Sequence, residues 1–444
     1  MQRTHPVRYG LLLLGLGLAL FNDQASSAQP VEPPGNTPQI LSLDFPQVIP
    51  PDGTPVAGTL TFADPDGDVV ALELSVVRAF DFGPSTVTLG AAENAAGAVE
   101  FSLSSPSVQP VALAARLIDA AGHRSLSVVF YFAAVSDERE VAKGVYFINA
   151  WGEKGSGPGQ FAFEGPQGVR VGPDHNVYVI DEGNHRTQVF TPQGDYVREW
   201  GGFGSADQPG RFNFPSDLVF SPEGNIYVSD SLNDRIQVFD PGLNFLFAFG
   251  TTGFGRGQLN APRGLAFDAA GELYVADELN GRVQVFDGQG NFLRQWGQAG
   301  SDDPGRFNVI VGLDVDKANG VYVADGFNHR VQVFDEQGNF LRQWGSFGRG
   351  EGQFNDPVGV AVSPGGWVAV TDSFNDRVQL WTQDGRFLRV WGAQSDAPGE
   401  GFKLPLGADS DGLGMLYIGD HFNRRTQAFY VAIDPQEIEG TGTN

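Results

Sequence analysis

From residue 144 to residue 433 apolar and polar positions alternate in short runs of four to seven residues, bounded by Gly, Pro, Asn or Asp. Alternation over so few residues predicts buried or half-buried β-strands, and the punctuation predicts tight turns between them. The pattern also recurs. Six segments match: Asp181-Glu-Gly-Asn-His-Arg186, Asp230-Ser-Leu-Asn-Asp-Arg235, Asp277-Glu-Leu-Asn-Gly-Arg282, Asp325-Gly-Phe-Asn-His-Arg330, Asp372-Ser-Phe-Asn-Asp-Arg377 and Asp420-His-Phe-Asn-Arg-Arg425. Their aspartates step by 49, 47, 48, 47 and 48 residues. A strand-like run precedes each, such as Ile226–Ser229, and another follows, such as Ile236–Phe239. A Gly-bearing turn, a third run such as Phe292–Trp296, a Gly-rich loop, a Pro and a fourth run complete the unit.

Four strands at this period are the signature of a propeller blade. The units resemble the NHL-repeat family, whose repeat reads Pro-x-Gly, two strands, Asp-x-x-Asn-x-Arg, then strand, turn and strand. The resemblance implies an all-β, six-bladed β-propeller with four-stranded blades over residues 144–433. The sixth unit stops after its third strand, and Val145–Gly152 matches the outer strand Phe340–Gly345. The N-terminal strand is therefore expected to complete the last blade and remove an exposed edge. Trp151, Trp200, Phe249, Trp296, Trp344 and Trp391 then supply one packing aromatic per blade.

Ahead of the repeats lie further strand-like runs: Gln39–Phe45, Ala57–Phe62, Val69–Val77, Ser85–Leu89, Ala98–Leu103, Val111–Ile118 and Ser125–Ala133. Seven short strands with turns between them suggest an immunoglobulin-like β-sandwich over residues 38–135. Asp64-Pro-Asp66-Gly-Asp68 resembles the acidic turn of cadherin-like domains. Asp64, Asp66 and Asp68 offer the oxygens calcium requires, or simply close a turn between strands. Residues 29–37 are Pro-rich and read as a linker, as do 136–143, and 434–444 form a tail.

At the start, Arg3 and Arg8, an apolar run from Gly10 to Phe21 and the small residues Ser26-Ser27-Ala28 describe a secretory signal peptide over residues 1–28. Cleavage near Ala28 would place the mature protein in the periplasm or outside the cell. No run is long enough for a membrane span. Composition narrows the chemistry further. The net charge of −25 disfavours nucleic acid, where binding rests on cations neutralising phosphates. The absence of cysteine excludes disulfides, thiol catalysis and Cys-ligated metals.

A motif present in all six repeats reads as architecture, with the Arg donating back to the Asp and the Asn taking the left-handed turn. Functional hints lie instead in departures from the repeat. Two residues after the inner-strand Gly position stand Arg170, Val219, Ala266, Asp314, Ala361 and Asp409, so three charges face the channel and Arg170 is expected to pair with Asp409. After the repeat's Pro stand Gln167, Ser216, Arg263, Val311, Val358 and Leu406, giving one mouth of the channel a polar half and an apolar half. The loops sharing that mouth supply Glu182, His185, Glu278, His329, His421 and Arg424. Histidines 185, 329 and 421 come from separate blades and are not expected to meet at one metal. Segments matching propeller lyases or lactonases, a phosphate loop and a nucleophile motif are not found. The reading is an exported, non-catalytic scaffold that takes a protein or glycan at the mouth, with no cofactor beyond the calcium option. A metal-assisted lyase or lactonase in the channel and an adhesin-type first domain are the alternatives.

Overall fold

The structure, a computed structural model, describes residues 8–10, 38–64, 69–78, 85–88, 96–105, 109–120, 122, 124–136, 139–301 and 303–440. The chain divides into two compact units, residues 1–138 and 139–444. Most of the leader, all of the 29–37 linker, Asp66 and Asp68 lie outside the described residues.

Two sheets make the first unit. One has the order Arg8–Gly10, Gln39–Asp44, Val56–Ala63, Ala96–Leu103. The other runs Val48–Ile49, Val128–Ala134, Gln109–Asp119, Val69–Arg78, Ser85–Thr88. Period-two alternation buries Gly58, Leu60 and Phe62 on one side of their strand. Leu43, Phe45, Leu72, Leu113 and Phe132 join them in a single core. Phe45 packs against Phe101, Phe130 and Phe132 with ring centroids 5.7, 5.8 and 5.0 Å away. Just after Asp44 the chain changes sheets, and Val48–Ile49 runs parallel to the last strand. This short segment was not among the expected strands. The last strand starts at Val128 rather than Ser125 because Ser125 is held in the hairpin turn, its backbone N–H donating to the Leu117 carbonyl and its hydroxyl accepting from Leu117 N–H. Asp64 is fully buried, and its carboxylate accepts from Val69 N–H, the first residue of the next strand, at 3.0 Å.

Among the described residues of the second unit are six sheets of four or five strands, with two short two-stranded pairings in the loops. Five have four antiparallel strands in chain order, with inner strands Pro166–Val171, Pro215–Phe220, Pro262–Phe267, Ile310–Val315 and Pro357–Val362. The sixth combines Pro405–Ser410, Met415–Asp420 and Arg425–Val431 with Val145–Trp151 from the front of the unit, paired antiparallel as the repeat register requires. Within the stretch read as a linker, Glu140–Ala142 adds a further edge strand to this sheet. In the tail, Pro435–Glu439 is a short helix whose Ile438 packs on the sixth-sheet core, with Glu437 bridging Lys143 at 2.8 Å and meeting Arg389.

Inner strands touch in chain order, and the sixth returns to the first. A Cβ at Gly168, Gly264, Gly312, Gly359 or Gly407 would fall on the next strand's carbonyl, at Ser216, Val311, Val358, Leu406 and Gln167 respectively. Such close approach is why glycine recurs there.

The repeated motif ties each sheet to the loop that precedes it. In the third repeat, the buried Asp277 carboxylate accepts from Arg282 Nε at 2.7 Å, Asn280 Nδ2 at 2.9 Å, Gln284 Nε2 at 3.0 Å and the Asn260 backbone at 2.8 Å. The left-handed residue of this turn is not the Asn, as expected, but the one after it: His185, Asp234, Gly281, His329, Asp376 or Arg424. The Asn is held instead as a donor, Asn280 reaching the Gly253 carbonyl as well as Asp277. The Gln two residues beyond the Arg, which the sequence reading passed over, is equally regular: Gln188, Gln237, Gln284, Gln332, Gln379 and Gln427 all donate to the Asp of their own repeat.

Candidate functional site

Inside the ring, Arg170 crosses the channel. Its Nε donates to the Leu218 carbonyl at 3.1 Å and its Nη2 to the Leu265 carbonyl at 2.9 Å. The expected pairing with Asp409 is present at 3.6 Å, but the shorter ion pair, 2.8 Å, is with Asp217. Asp217 was not foreseen, although it stands where five repeats carry glycine. Its carboxylate also accepts from Leu265 N–H at 3.0 Å, joining the second and third sheets. Asp314 joins the fourth to the fifth by accepting from Val362 N–H at 2.7 Å, and Asp409 joins the sixth to the first through Val171 N–H at 2.7 Å. Burial pushes the Asp409 carboxyl up to about 7 despite Arg170 nearby. It also raises that of Asp314, while these carboxylates outweigh the desolvation of Arg170 and keep it charged. The pocket between Arg170 and the opening has about 30 Å³ of free space, which suits one or two waters. A small-molecule substrate needs roughly ten times that or more.

Three of the expected mouth residues meet. Arg263 donates to Glu278 at 2.7 Å, Glu182 at 3.1 Å and the Ser216 hydroxyl at 2.9 Å. The guanidinium is thus engaged within the protein rather than presented to a partner. Gln167, Ser216 and Arg263 line one side of the opening and Val311 and Val358 the other, with Leu406 buried beside them.

His185, His329 and Arg424 do not join them. His185 Nδ1 accepts from Phe214 N–H at 3.0 Å and His329 Nδ1 from Asp356 N–H at 3.2 Å, each linking its turn to the next sheet's loop. Asp234 and Asp376 do the same from the equivalent position, accepting from Ala261 and Leu404 N–H, both at 2.8 Å. In four of the six repeats the slot that varies in sequence is therefore an acceptor between neighbouring sheets. Arg424 instead lies over the Phe163 ring, 5.1 Å from its centroid.

His421 is 6% exposed, and burial pushes its pKa down to about 4. One ring nitrogen is engaged with the Pro166 backbone, and Nδ1 has no hydrogen-bond partner within the protein. Its folded-state pKa lies below the unfolded value of 6.5, so its contribution to stability is full above pH 6.5 and is lost as pH falls toward 4. His421→Gln is expected to flatten the fall of Tm across that window by about 2 °C or more. Identical slopes for the two proteins would refute this.

Sequence reasoning also missed Asp356, 8% exposed, standing where other repeats have Gly165, Phe214, Ala261, Val309 and Leu404. Its carboxyl is pushed up to about 6 by burial, with repulsion from Glu278 and Asp372 adding to it. Its Oδ1 has no hydrogen-bond partner within the protein and lies 2.5 Å from where a Gly326 Cβ would be. Gly326 is the fourth repeat's counterpart of Glu182, Glu278 and His421, so the Asp356 carboxylate fills a mouth position left empty by glycine.

The next residue of each turn points outward. Leu232, Leu279, Phe327, Phe374 and Phe422 are 43–63% exposed, and in the first repeat, where Gly183 stands, Phe163 packs beside Phe422 at 6.1 Å. The same turn position therefore presents a rim of large apolar side chains to solvent in five of the repeats.

The sequence profile of the NHL repeat matches residues 163–190, 212–239, 259–286 and 307–334. Four of the six sheets carry NHL repeats. A protein of unknown function from Bacteroides thetaiotaomicron has a similar structure, with a TM-score of 0.55 at 14% identity over 90% of this chain and 99% of that one. An inactive virginiamycin B lyase from Staphylococcus aureus, solved with quinupristin, has a TM-score of 0.45 at 9% identity over 84% and 99%. The PQQ-bound aldose sugar dehydrogenase of Streptomyces coelicolor gives 0.43 at 12% over 64% and 97%. No curated protein matches the chain by sequence. The NHL repeats and the first of these structures establish an all-β chain with a propeller-like fold. Among the described residues no helix is long and apolar enough to cross a membrane.

Proposed function

We propose that this protein is an exported binding scaffold: a six-bladed propeller, following an immunoglobulin-like sandwich, whose mouth recognises a partner protein without chemistry. The first strand's passage between two sheets supports the sandwich, and the six sheets with their returning N-terminal strand support the blade count. The leader read in residues 1–28 supports export. The observation that carries the functional reading is that one turn position exposes a large apolar side chain in five successive repeats, with Phe163 packed on Phe422 in the remaining one, a regular apolar surface of the kind that marks interaction sites. Polar groups at the opening and apolar residues at the next turn position resemble the arrangement of anchors and polar contacts in protein interfaces. The channel argues against catalysis within it, since Arg170 bridges its walls and little space remains.

Partner capture from the producing cells, with the wild type and a Phe327→Ser/Phe374→Ser double variant as baits, tests this. Loss of a specific captured protein by at least about tenfold is expected, as for removal of two interface anchors. Undiminished capture by the double variant places the binding face elsewhere. Arg263→Ala is not an informative variant, because it would release two carboxylates rather than remove a contact.

A further inference from the structure

Resting on the mouth as the binding face, we infer that the occupant is a protein segment presenting an arginine or lysine between apolar residues, its cation donating to Asp356 and its flanks lying on the rim. Three observations carry this. The first is charge. Around the opening stand the carboxylates of Glu182, Glu278 and Asp356, with Glu164 near Glu182, against the guanidinium of Arg263, while Arg170 is already paired with Asp217 and Asp409. Arg263 is saturated by Glu182 and Glu278, and Arg424 is stacked on Phe163. Among the described residues no cation pairs with Asp356, and Glu278 and Asp372 repel it.

The second observation concerns hydrogen bonding. Two side chains at the mouth are each more than nine-tenths buried and keep an atom without a partner in the protein, Asp356 Oδ1 and His421 Nδ1. Both are acceptors, since the other nitrogen of neutral His421 is engaged with the Pro166 backbone. Buried acceptors without donors are costly and rare, so a ligand that supplies donors is the complement the site selects. At Asp356 an anionic or acceptor-rich ligand would meet a carboxylate, whereas the donor without a partner, Arg424 Nε, lies on the His421 side.

The third is the rim, which decides between a free amine and a cation carried on a chain. Leu232, Leu279, Phe327, Phe374 and Phe422 come from five successive repeats and extend well beyond the reach of one small cation. Side chains flanking a central Arg or Lys would bury that surface, while its methylenes lie along Val311 and Val358.

The experiment uses the full chain and labelled heptapeptide pools whose central residue is Arg, Lys, Gln or Glu, with apolar and Ser residues randomised around it, read by fluorescence anisotropy at low and high salt. The Arg and Lys pools are expected to bind at least about tenfold more tightly than the Gln and Glu pools, with the difference shrinking in high salt. Asp356→Asn should remove most of that preference. Asparagine tolerates the left-handed backbone of residue 356 (φ +60°), and an unchanged or higher Tm would show that the variant folds. Phe327→Ser should weaken every pool alike. A Gln or Glu pool that binds as well as Arg, or an unchanged preference in Asp356→Asn, overturns the inference. If such a pool still loses affinity in Phe327→Ser, the mouth remains the binding face and only the partner's chemistry was wrong. Binding of spermidine or acetyl-arginine amide as tight as that of the Arg pool overturns the protein-segment part. Failure of every pool to bind overturns the inference as a whole.

Discussion

Arg170→Met is expected to destabilise the repeat domain by about 3–5 kcal/mol at pH 8, the cost of removing one partner from a buried ion pair. Methionine keeps most of the volume, so the loss is electrostatic. Arg170 is the cation shared by Asp217, Asp409 and Asp314, and it also satisfies the Leu218 and Leu265 carbonyls. Without it three carboxylates face one another in a space that holds only a water or two. The pH dependence gives the effect a signature. A carboxyl whose folded pKa is raised contributes its stability fully below the unfolded value, here 3.8, and loses it as pH rises through the folded value, about 7 for Asp409. The wild type should therefore lose part of its stability between pH 4 and 7. The variant, lacking the cation, should lose more over that range and approach the wild type near pH 4. Urea unfolding at several pH values measures both; a loss below about 1 kcal/mol, or one independent of pH, contradicts this account.

Asp277→Ala is the second large effect, again about 3–5 kcal/mol, because it strips a buried network of its acceptor. Four donors converge on that carboxylate from a turn, two strand side chains and the preceding loop. Arg282 keeps the Phe254, Gly255 and Gln258 carbonyls but loses its counter-ion. Asp277→Asn retains an acceptor oxygen and should lie between wild type and alanine. Chemical denaturation of the three proteins checks the order, and equal stability of alanine and wild type would show that the network contributes nothing net.

The sequence made the strands and their order legible because the repeat is local. Asp, Asn and Arg lie within six residues, and the apolar runs on either side announce strands of known pitch. The returning strand Val145–Trp151 was legible for the same reason, as a fragment of a known unit out of place. So was the division of the mouth, since Gln167, Ser216 and Arg263 contrast with Val311, Val358 and Leu406 at one aligned position. What escaped depends on contacts between repeats. His185 and His329 looked like surface ligands because nothing nearby in sequence reveals the Phe214 and Asp356 amides they accept from. Asp217 and Asp356 escaped differently. Both were visible as single departures from an aligned column, a carboxylate replacing glycine in one case and a carboxylate among small and apolar residues in the other. Aligning every column of the six repeats, rather than those next to a conspicuous motif, would have found them.

The pairing of Val145–Trp151 with Arg425–Val431 also bears on how the domain is made. Five sheets draw all their strands from one continuous stretch and can form as the polypeptide emerges. The sixth must wait, because Val145–Trp151, paired on one side with Glu140–Ala142, lacks its other neighbour until Arg425–Val431 arrives. Until then that early strand, with its unpaired amides and the half-buried Phe147, is an adhesive edge on an unfinished molecule. Joining ends this far apart carries a large loop-closure entropy, so clasping the ring is expected to be a slow, late event. A nascent chain stalled before residue 425 would hold most of its hydrogen bonds and still be open to chaperones and proteases.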